Sequence, residues 1–415
     1  MTKTQLARRE FLERAGKAGI ALGGAALLAP PGKLLKLING DEPGPHGELF
    51  KDILKRAPVA RYWSSTATGD LSCSSCHVAP PAGKTAKHHL KHPVIKCFLC
   101  AHGCVIREGE RGRCRDRINF NGKLYSLVYG RPIAQHVDPI EKKPFYNFLP
   151  GSEAYSIATS GCPLRCKFCQ NWEISQAKPE DYAVRYTPPE VIVRRAKGRL
   201  APVIAFTYNE PTTFTEYLTD IARAAKKYRI RSVLVSCGFM QEKPLAEMIE
   251  VLDAIKIDLK GFSPEFYRNI SHAELQPVLR SIKQVAKAGR HLEIVNLVIP
   301  TLNDSQEMLT ELSKWVVGEL GPDVPVHFTR FHPDYRLMNL PPTPLTTLHR
   351  ARETAMKAGM HYAYVGNYPG DPGNKTYCPK CGKVVIDRVG FFVKAIHMKD
   401  GKCAYCGTPI AGVWK

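Results

Sequence analysis

From residue 155 onward the chain repeats one pattern: a short apolar, β-branched run followed by a longer amphipathic segment. The runs are 155–159, 203–207, 232–235, 254–259, 292–299 and 326–331. Near-continuous apolar runs read as strands covered on both faces, and the amphipathic stretches between them as helices. Parallel strands need crossover connections, so six such units in series call for a parallel sheet with helices outside. Six units fall short of a closed eight-stranded barrel. The expected fold is therefore α/β, a partial (β/α)6 barrel, with its chemistry at the C-terminal ends of the strands. Thr187-Pro-Pro-Glu190 and Thr213-Phe-Thr-Glu216 read as capping boxes at helix starts, and Gly359 as a C-terminal cap.

Directly after the first of these strands comes Gly161-Cys-Pro-Leu-Arg-Cys-Lys-Phe-Cys-Gln-Asn-Trp172. Its cysteines, Cys162, Cys166 and Cys169, are spaced C-x3-C-x2-C. Iron–sulfur clusters normally take four thiolates. Three on a four-iron cubane leave one iron open, and an open position is what makes a metal site catalytic. The other reading is a structural metal site that borrows a fourth ligand from elsewhere.

Fourteen cysteines in 415 residues are many, and all but Cys237 fall in groups with metal-like spacing. A disulfide framework would scatter them through a small secreted chain; tight pairs in a long chain point to metals. Cys97, Cys100, Cys104 and Cys114 suit zinc or a second iron–sulfur cluster. Cys378, Cys381, Cys403 and Cys406, spaced C-x2-C-x21-C-x2-C, read as a closed zinc-ribbon-like site, with a rubredoxin-like single iron as the alternative. Cys73-Ser-Ser-Cys76-His77 fits the attachment pattern of c-type haem, with His88, His89 or His92 as a second axial ligand; another metal pair is the competing reading. Cys237 reads as a small buried hydrophobe.

The formal net charge is +21. Between residues 83 and 123 ten Lys/Arg stand against three Asp/Glu, enough to offset thiolates or to receive an acidic partner. No nucleic-acid-binding signature accompanies the charge, so a basic soluble surface is expected rather than a nucleic-acid partner. At the N-terminus, Ala7-Arg8-Arg9-Glu10-Phe11-Leu12 precedes an uncharged Ala/Gly/Leu-rich run to Pro31. The pair reads as a twin-arginine export signal without a clear cleavage site, so contact with a membrane is expected only through an uncleaved signal. The expected organisation is a signal at 1–32, a linker with the haem-like motif at 33–92, a cysteine-rich module at 93–150, the partial barrel at 151–372 and the ribbon at 373–415.

Residues 162–169, with Phe168 before the last cysteine, resemble the hallmark loop of the radical S-adenosylmethionine (SAM) superfamily. The resemblance implies a [4Fe-4S] cluster on Cys162, Cys166 and Cys169, with SAM on the open iron. It further implies reductive cleavage of SAM to a 5′-deoxyadenosyl radical, fed by a one-electron reductant. By the same resemblance, Asn209 and Glu210 in Thr207-Tyr-Asn-Glu-Pro211 take the place of the motif that holds the SAM ammonium. Asp258 and Lys260 are expected near SAM at the end of the fourth strand, and Asn296 near its ribose on the fifth. Ser236-Cys237-Gly238 departs from the Asn-Gly of relatives. Further stretches (Cys97–Cys104, Gly112–Cys114, Asp138–Pro144, Phe148–Gly151, Cys169–Trp172, His327–Pro333, Tyr364–Asn367) resemble the AmmeMemoRadiSam-system radical SAM enzymes, which are similar to pyruvate formate-lyase activating enzymes. That likeness leaves room for a protein substrate. Export and SAM chemistry point to different compartments, and the rival expectation is an exported, non-catalytic iron–sulfur and haem electron carrier.

Overall fold

The computed structural model describes residues 45–66 and 93–415. The expected signal and the haem-like motif, Cys73, Cys76 and His77 with the histidines after it, lie outside the described residues. Among those described, no helix is long and apolar enough to cross a membrane. Pro45–Arg56, expected as linker, is a helix with Glu48 in its first turn and Lys55 and Arg56 in its last, charges placed to suit its macrodipole.

Among the described residues, 57–66 and 93–415 form one compact unit. Its first part is a cysteine-bearing module of short strands: β1 (Trp63–Ser65), β2 (Ile95–Cys97) and β3 (Val105–Ile106) in one antiparallel sheet, and β4 (Arg117–Phe120) with β5 (Lys123–Ser126) in another. β1 pairs Trp63 with Cys97, so part of the expected linker is folded into the module.

The main sheet has eight strands. β6 (Ala134–Pro139) lies antiparallel at one edge; β7 (Glu153–Ala158), β8 (Val203–Phe206), β9 (Arg231–Ser236), β10 (Ala254–Asp258), β11 (His291–Val298), β12 (Val326–Arg330) and β13 (Ala363–Gly366) follow in sequence order, all parallel. All six expected strands are present. The expectation of six is corrected to seven parallel strands, because Ala363-Tyr-Val-Gly366 is too short to stand out as a run. β6, assigned from sequence to the cysteine module, is an edge strand of the main sheet.

Side chains alternate between two faces along each strand. Ile204, Phe206, Leu234, Ile255, Ile257, Leu292, Ile294 and Val298 face the helices and form the large core. Each fully buried chain of this size contributes about 1.5–3 kcal/mol. On the other face Ala154, Val203, Ala205, Val233 and Ala254 pack against Ile140, Phe145 and Phe148 from the β6–β7 connection, which plugs the N-terminal end and leaves the C-terminal end open.

The two expected capping boxes do not form. The helices begin later, at Pro189 and Thr215, without side-chain caps. Glu216 turns away to pair with the fully buried Arg117, its two oxygens 2.5 and 2.8 Å from Nη2. Gly359 does follow the helix Leu345–Lys357, at φ +105°. The ribbon is not a separate unit. Arg388 is fully buried, its Nε 3.4 Å from Oε1 of the equally buried Glu141, and it donates to the Tyr146 carbonyl. Tyr146, Tyr362 and Tyr364 share a core with Cys378 and Cys403.

Candidate active site

At the open end lies a cavity of about 420 Å³, within the usual range for small-molecule sites. Cys162, Cys166 and Cys169 line it, together with Asn209, Glu210, Cys237, Asp258 and Lys260. The structure thus brings the three-cysteine loop to the residues expected at the ends of the second and fourth strands.

The loop is held by its ends and its middle. Gly161 donates to the Ile174 carbonyl at 2.9 Å, Arg165 N–H to Ser271 and Lys167 N–H to Ile270. Gly161 has φ +82°, and a Cβ there would fall inside the carboxylate of Asp116. The Asn209 side-chain amide donates to the carbonyls of Ser160 and Gly161, both at 2.9 Å. Asn209 therefore fastens the loop, and its Oδ1 stays buried without a donor.

Glu210 is fixed by neighbours. Oε1 accepts from Thr212 N–H (3.1 Å), Thr212 Oγ1 (2.5 Å) and Ser236 Oγ (2.8 Å), and Oε2 from Cys237 N–H (2.7 Å). Ser236 and Cys237 thus anchor this carboxylate. A buried carboxylate so held is ready for an ammonium with little reorganisation. Cys237 is buried, as expected, and also lines the cavity.

Asp258 is bonded to Lys256 and, at 3.2 Å, to Lys260. Burial alone would raise its pKa; the two ammonium groups outweigh burial and hold it at about 2. Burial opposes the charge on Lys260 as well, and Asp258 wins, keeping it protonated. Lys256, only 4% exposed, was not singled out from sequence. It lies two residues before Asp258 on a strand, which puts both on one face. Lys143 likewise reaches the cavity from the β6–β7 connection, 2% exposed and 2.6 Å from Asp138, which also accepts from Tyr208 Oη.

Asn296 requires a correction. Val295 and Leu297 line the cavity and Asn296 does not. A strand's two-residue period turns it toward the helix side, where its amide donates to the Leu259 carbonyl at 2.8 Å. It is not placed for a ribose contact.

Two further thiol groups differ in spacing. Among the described residues, only Cys378, Cys381, Cys403 and Cys406 bring their ligand atoms within 4.8 Å of one another. Cys97, Cys100, Cys104 and Cys114 line a small cavity of their own.

Three cluster-spaced thiols and a fixed carboxylate lining one cavity, with room for a small molecule, fit a three-ligand cluster with SAM. Residues 156–312 match the Radical SAM superfamily, and that family implies a [4Fe-4S] cluster and SAM. An uncharacterized protein of Methanocaldococcus jannaschii is 41% identical over 318 residues, 76% of this chain and 95% of its own length. A pyruvate formate-lyase-activating enzyme of Listeria monocytogenes is 24% identical over 39% of this chain and 68% of that enzyme. The pyruvate formate-lyase 1-activating enzyme of Escherichia coli is 22% identical over 46% of this chain and 84% of its own. A domain of a pyruvate-formate lyase-activating enzyme from Bacteroides vulgatus superposes with a TM-score of 0.36 at 17% identity, covering 39% of this chain and 98% of that one. The comparisons lend no support to a non-catalytic electron carrier. Residues 156–312 thus form a Radical SAM domain, and the chain as a whole belongs to one family with the M. jannaschii protein.

Proposed function

We propose that this protein cleaves SAM reductively at Cys162, Cys166 and Cys169 and uses the product to abstract hydrogen from a second substrate, in the manner of a glycyl-radical activase acting on a protein. The observation that carries the reading is the placement of three cluster-spaced thiols and the fixed Glu210 around one cavity. When bound, the cluster supplies the electron that breaks the SAM sulfonium to methionine and a 5′-deoxyadenosyl radical. Glu210 receives the methionyl ammonium. Lys260, kept charged by Asp258, stands ready for the carboxylate. Asn209 fastens the loop through its amide N–H groups and offers its unpaired Oδ1 in the cavity to the same ammonium. The cavity lies at the strand ends, and the activating-enzyme likeness supports a protein substrate there.

Similarity to activating enzymes over less than half the chain supports the activase comparison, and the motif resemblance supports a place among AmmeMemoRadiSam-system enzymes. The 3.6 and 3.8 Å Sγ separations in the ribbon support zinc there, since bonds of about 2.3 Å in a tetrahedron place sulfurs about 3.8 Å apart. Anaerobic reconstitution with iron and sulfide, then SAM and dithionite, should yield 5′-deoxyadenosine from the native protein and none from Cys166→Ala. Equal yields from both would refute the assignment.

A further inference from the structure

The chain carries two four-cysteine groups of the same ligand type and different geometry. In the ribbon the sulfurs already stand at the edge length of a single tetrahedral ion. The other four, Cys97, Cys100, Cys104 and Cys114, surround one cavity without gathering to that spacing. The space among them is about 20 Å³, enough to admit a water-sized sphere. One ion with bonds of about 2.3 Å would draw the sulfurs together until no such space remained. A cubane, with each thiolate on a different iron, keeps them apart.

The wall suits an anionic centre. Arg117, fully buried, lines it and is held by Glu216. The backbone N–H of Arg113 donates to Cys104 Sγ at 3.4 Å, the kind of bond that tunes cluster potentials. Thr212 and Thr213, soon after Glu210, also line it, with Leu99 and Gly112.

The cavity also borders the catalytic loop. Pro163 lines it, while the preceding residue, Cys162, lines the SAM cavity. Their Cα atoms are about 3.8 Å apart across a trans peptide. Polar bonds lock this boundary. His102 Nε2–H (3.0 Å) and Arg113 Nε–H (3.2 Å) both donate to the Pro163 carbonyl. Arg165 donates to the carbonyls of Cys162 (3.1 Å) and Arg113 (2.8 Å). Asp116, two residues after Cys114, packs against Gly161.

We propose that Cys97, Cys100, Cys104 and Cys114 hold a second iron–sulfur cluster that shares a wall with the catalytic loop and relays electrons to it. One electron arrives from a low-potential carrier protein and one leaves to the catalytic cluster; no bond breaks and no proton moves. The relay rests on the function proposed above, whereas the cluster itself does not.

The test uses the full chain, reconstituted anaerobically with iron and sulfide. The Cys162→Ala/Cys166→Ala/Cys169→Ala variant should keep about four irons per chain and, after dithionite, an EPR signal that SAM does not change. Adding Cys100→Ala and Cys104→Ala should remove both. A triple variant holding no iron, or zinc at these cysteines, would overturn the second cluster. Cys104 is only half-buried, so Cys104→Ser spares the core. It should keep the SAM-responsive signal, while reduction by a flavodoxin-type carrier slows at least tenfold relative to dithionite. Unchanged carrier-driven reduction would overturn the relay. If the triple variant keeps its cluster but the native protein shows no SAM-responsive signal, the proposed function fails and the second cluster stands.

Discussion

Gly161 and Asp116 occupy positions that no larger residue at 161 could share: the glycine's α-carbon lies against a fully buried carboxylate, at a backbone angle of φ +82°. This contact seats the start of the three-cysteine loop on the cysteine module. Gly161→Ala therefore meets both steric conflict and left-handed backbone strain, about 1–3 kcal/mol for the strain alone. The variant is expected to lose most SAM-responsive EPR signal while remaining folded by circular dichroism. A full signal would show that the loop tolerates the displacement.

Glu210 is fixed by four hydrogen bonds, and in the proposed function its charge is its contribution to SAM binding. Glu210→Gln should retain the cluster and weaken SAM binding roughly ten- to a hundredfold, the equivalent of about 1.5–3 kcal/mol for a charge-assisted bond. Equilibrium dialysis with labelled SAM checks this. Undiminished affinity would place the ammonium elsewhere.

Beneath the cavity, Glu293 accepts from Tyr146 N–H, Asn147 N–H, His291 and His327. Burial alone would raise its pKa, but the bonds from His291 and His327 prevail and hold it at about 2, below the ordinary 4.5. A depressed carboxyl contributes stability that is full above the unfolded pKa and is lost as pH falls through the folded one. Melting temperature should drop between about pH 4.5 and 2 through this group. Glu293→Gln should be less stable near pH 7 by about 1–3 kcal/mol, with the gap closing across that window. A gap independent of pH would contradict the charge assignment.

The sequence made the strand runs legible because parallel strands must be covered on both faces, and that composition is local. It made Cys162, Cys166 and Cys169 legible because their spacing is local too. Asn296 misled because motif position does not show which face a strand residue takes. Val295 and Leu297 flank it and face the cavity instead. The Asp116–Gly161 contact and the Arg388–Glu141 pair join residues far apart in the chain, and no local pattern announces them. Lys256 was within reach, since alternation from Asp258 places it on the same face.

That long-range pair ties the ribbon to the main sheet. Arg388→Met should destabilise the protein by about 3–5 kcal/mol by stranding Glu141, and Arg388→Met/Glu141→Leu should recover part of the loss. Denaturant titration measures both. No recovery in the double variant would locate the loss in the other bonds of Arg388, to Thr376 and Tyr146.

The zinc proposed for the ribbon should serve stability and leave the chemistry in place when removed. Cys381→Ser/Cys406→Ser is expected to lose about one zinc per chain and to lower the melting temperature, while 5′-deoxyadenosine formation at 25 °C persists. Loss of turnover in a folded variant would give the ribbon a direct part in the reaction.

The central claim is that three cysteines leave one iron of the catalytic cluster for SAM. The most direct measurement is EPR of the dithionite-reduced protein before and after adding SAM, with Cys166→Ala alongside. The account predicts a signal that changes on adding SAM in the native protein and no such change in the variant. A native cluster signal that SAM leaves untouched would contradict it.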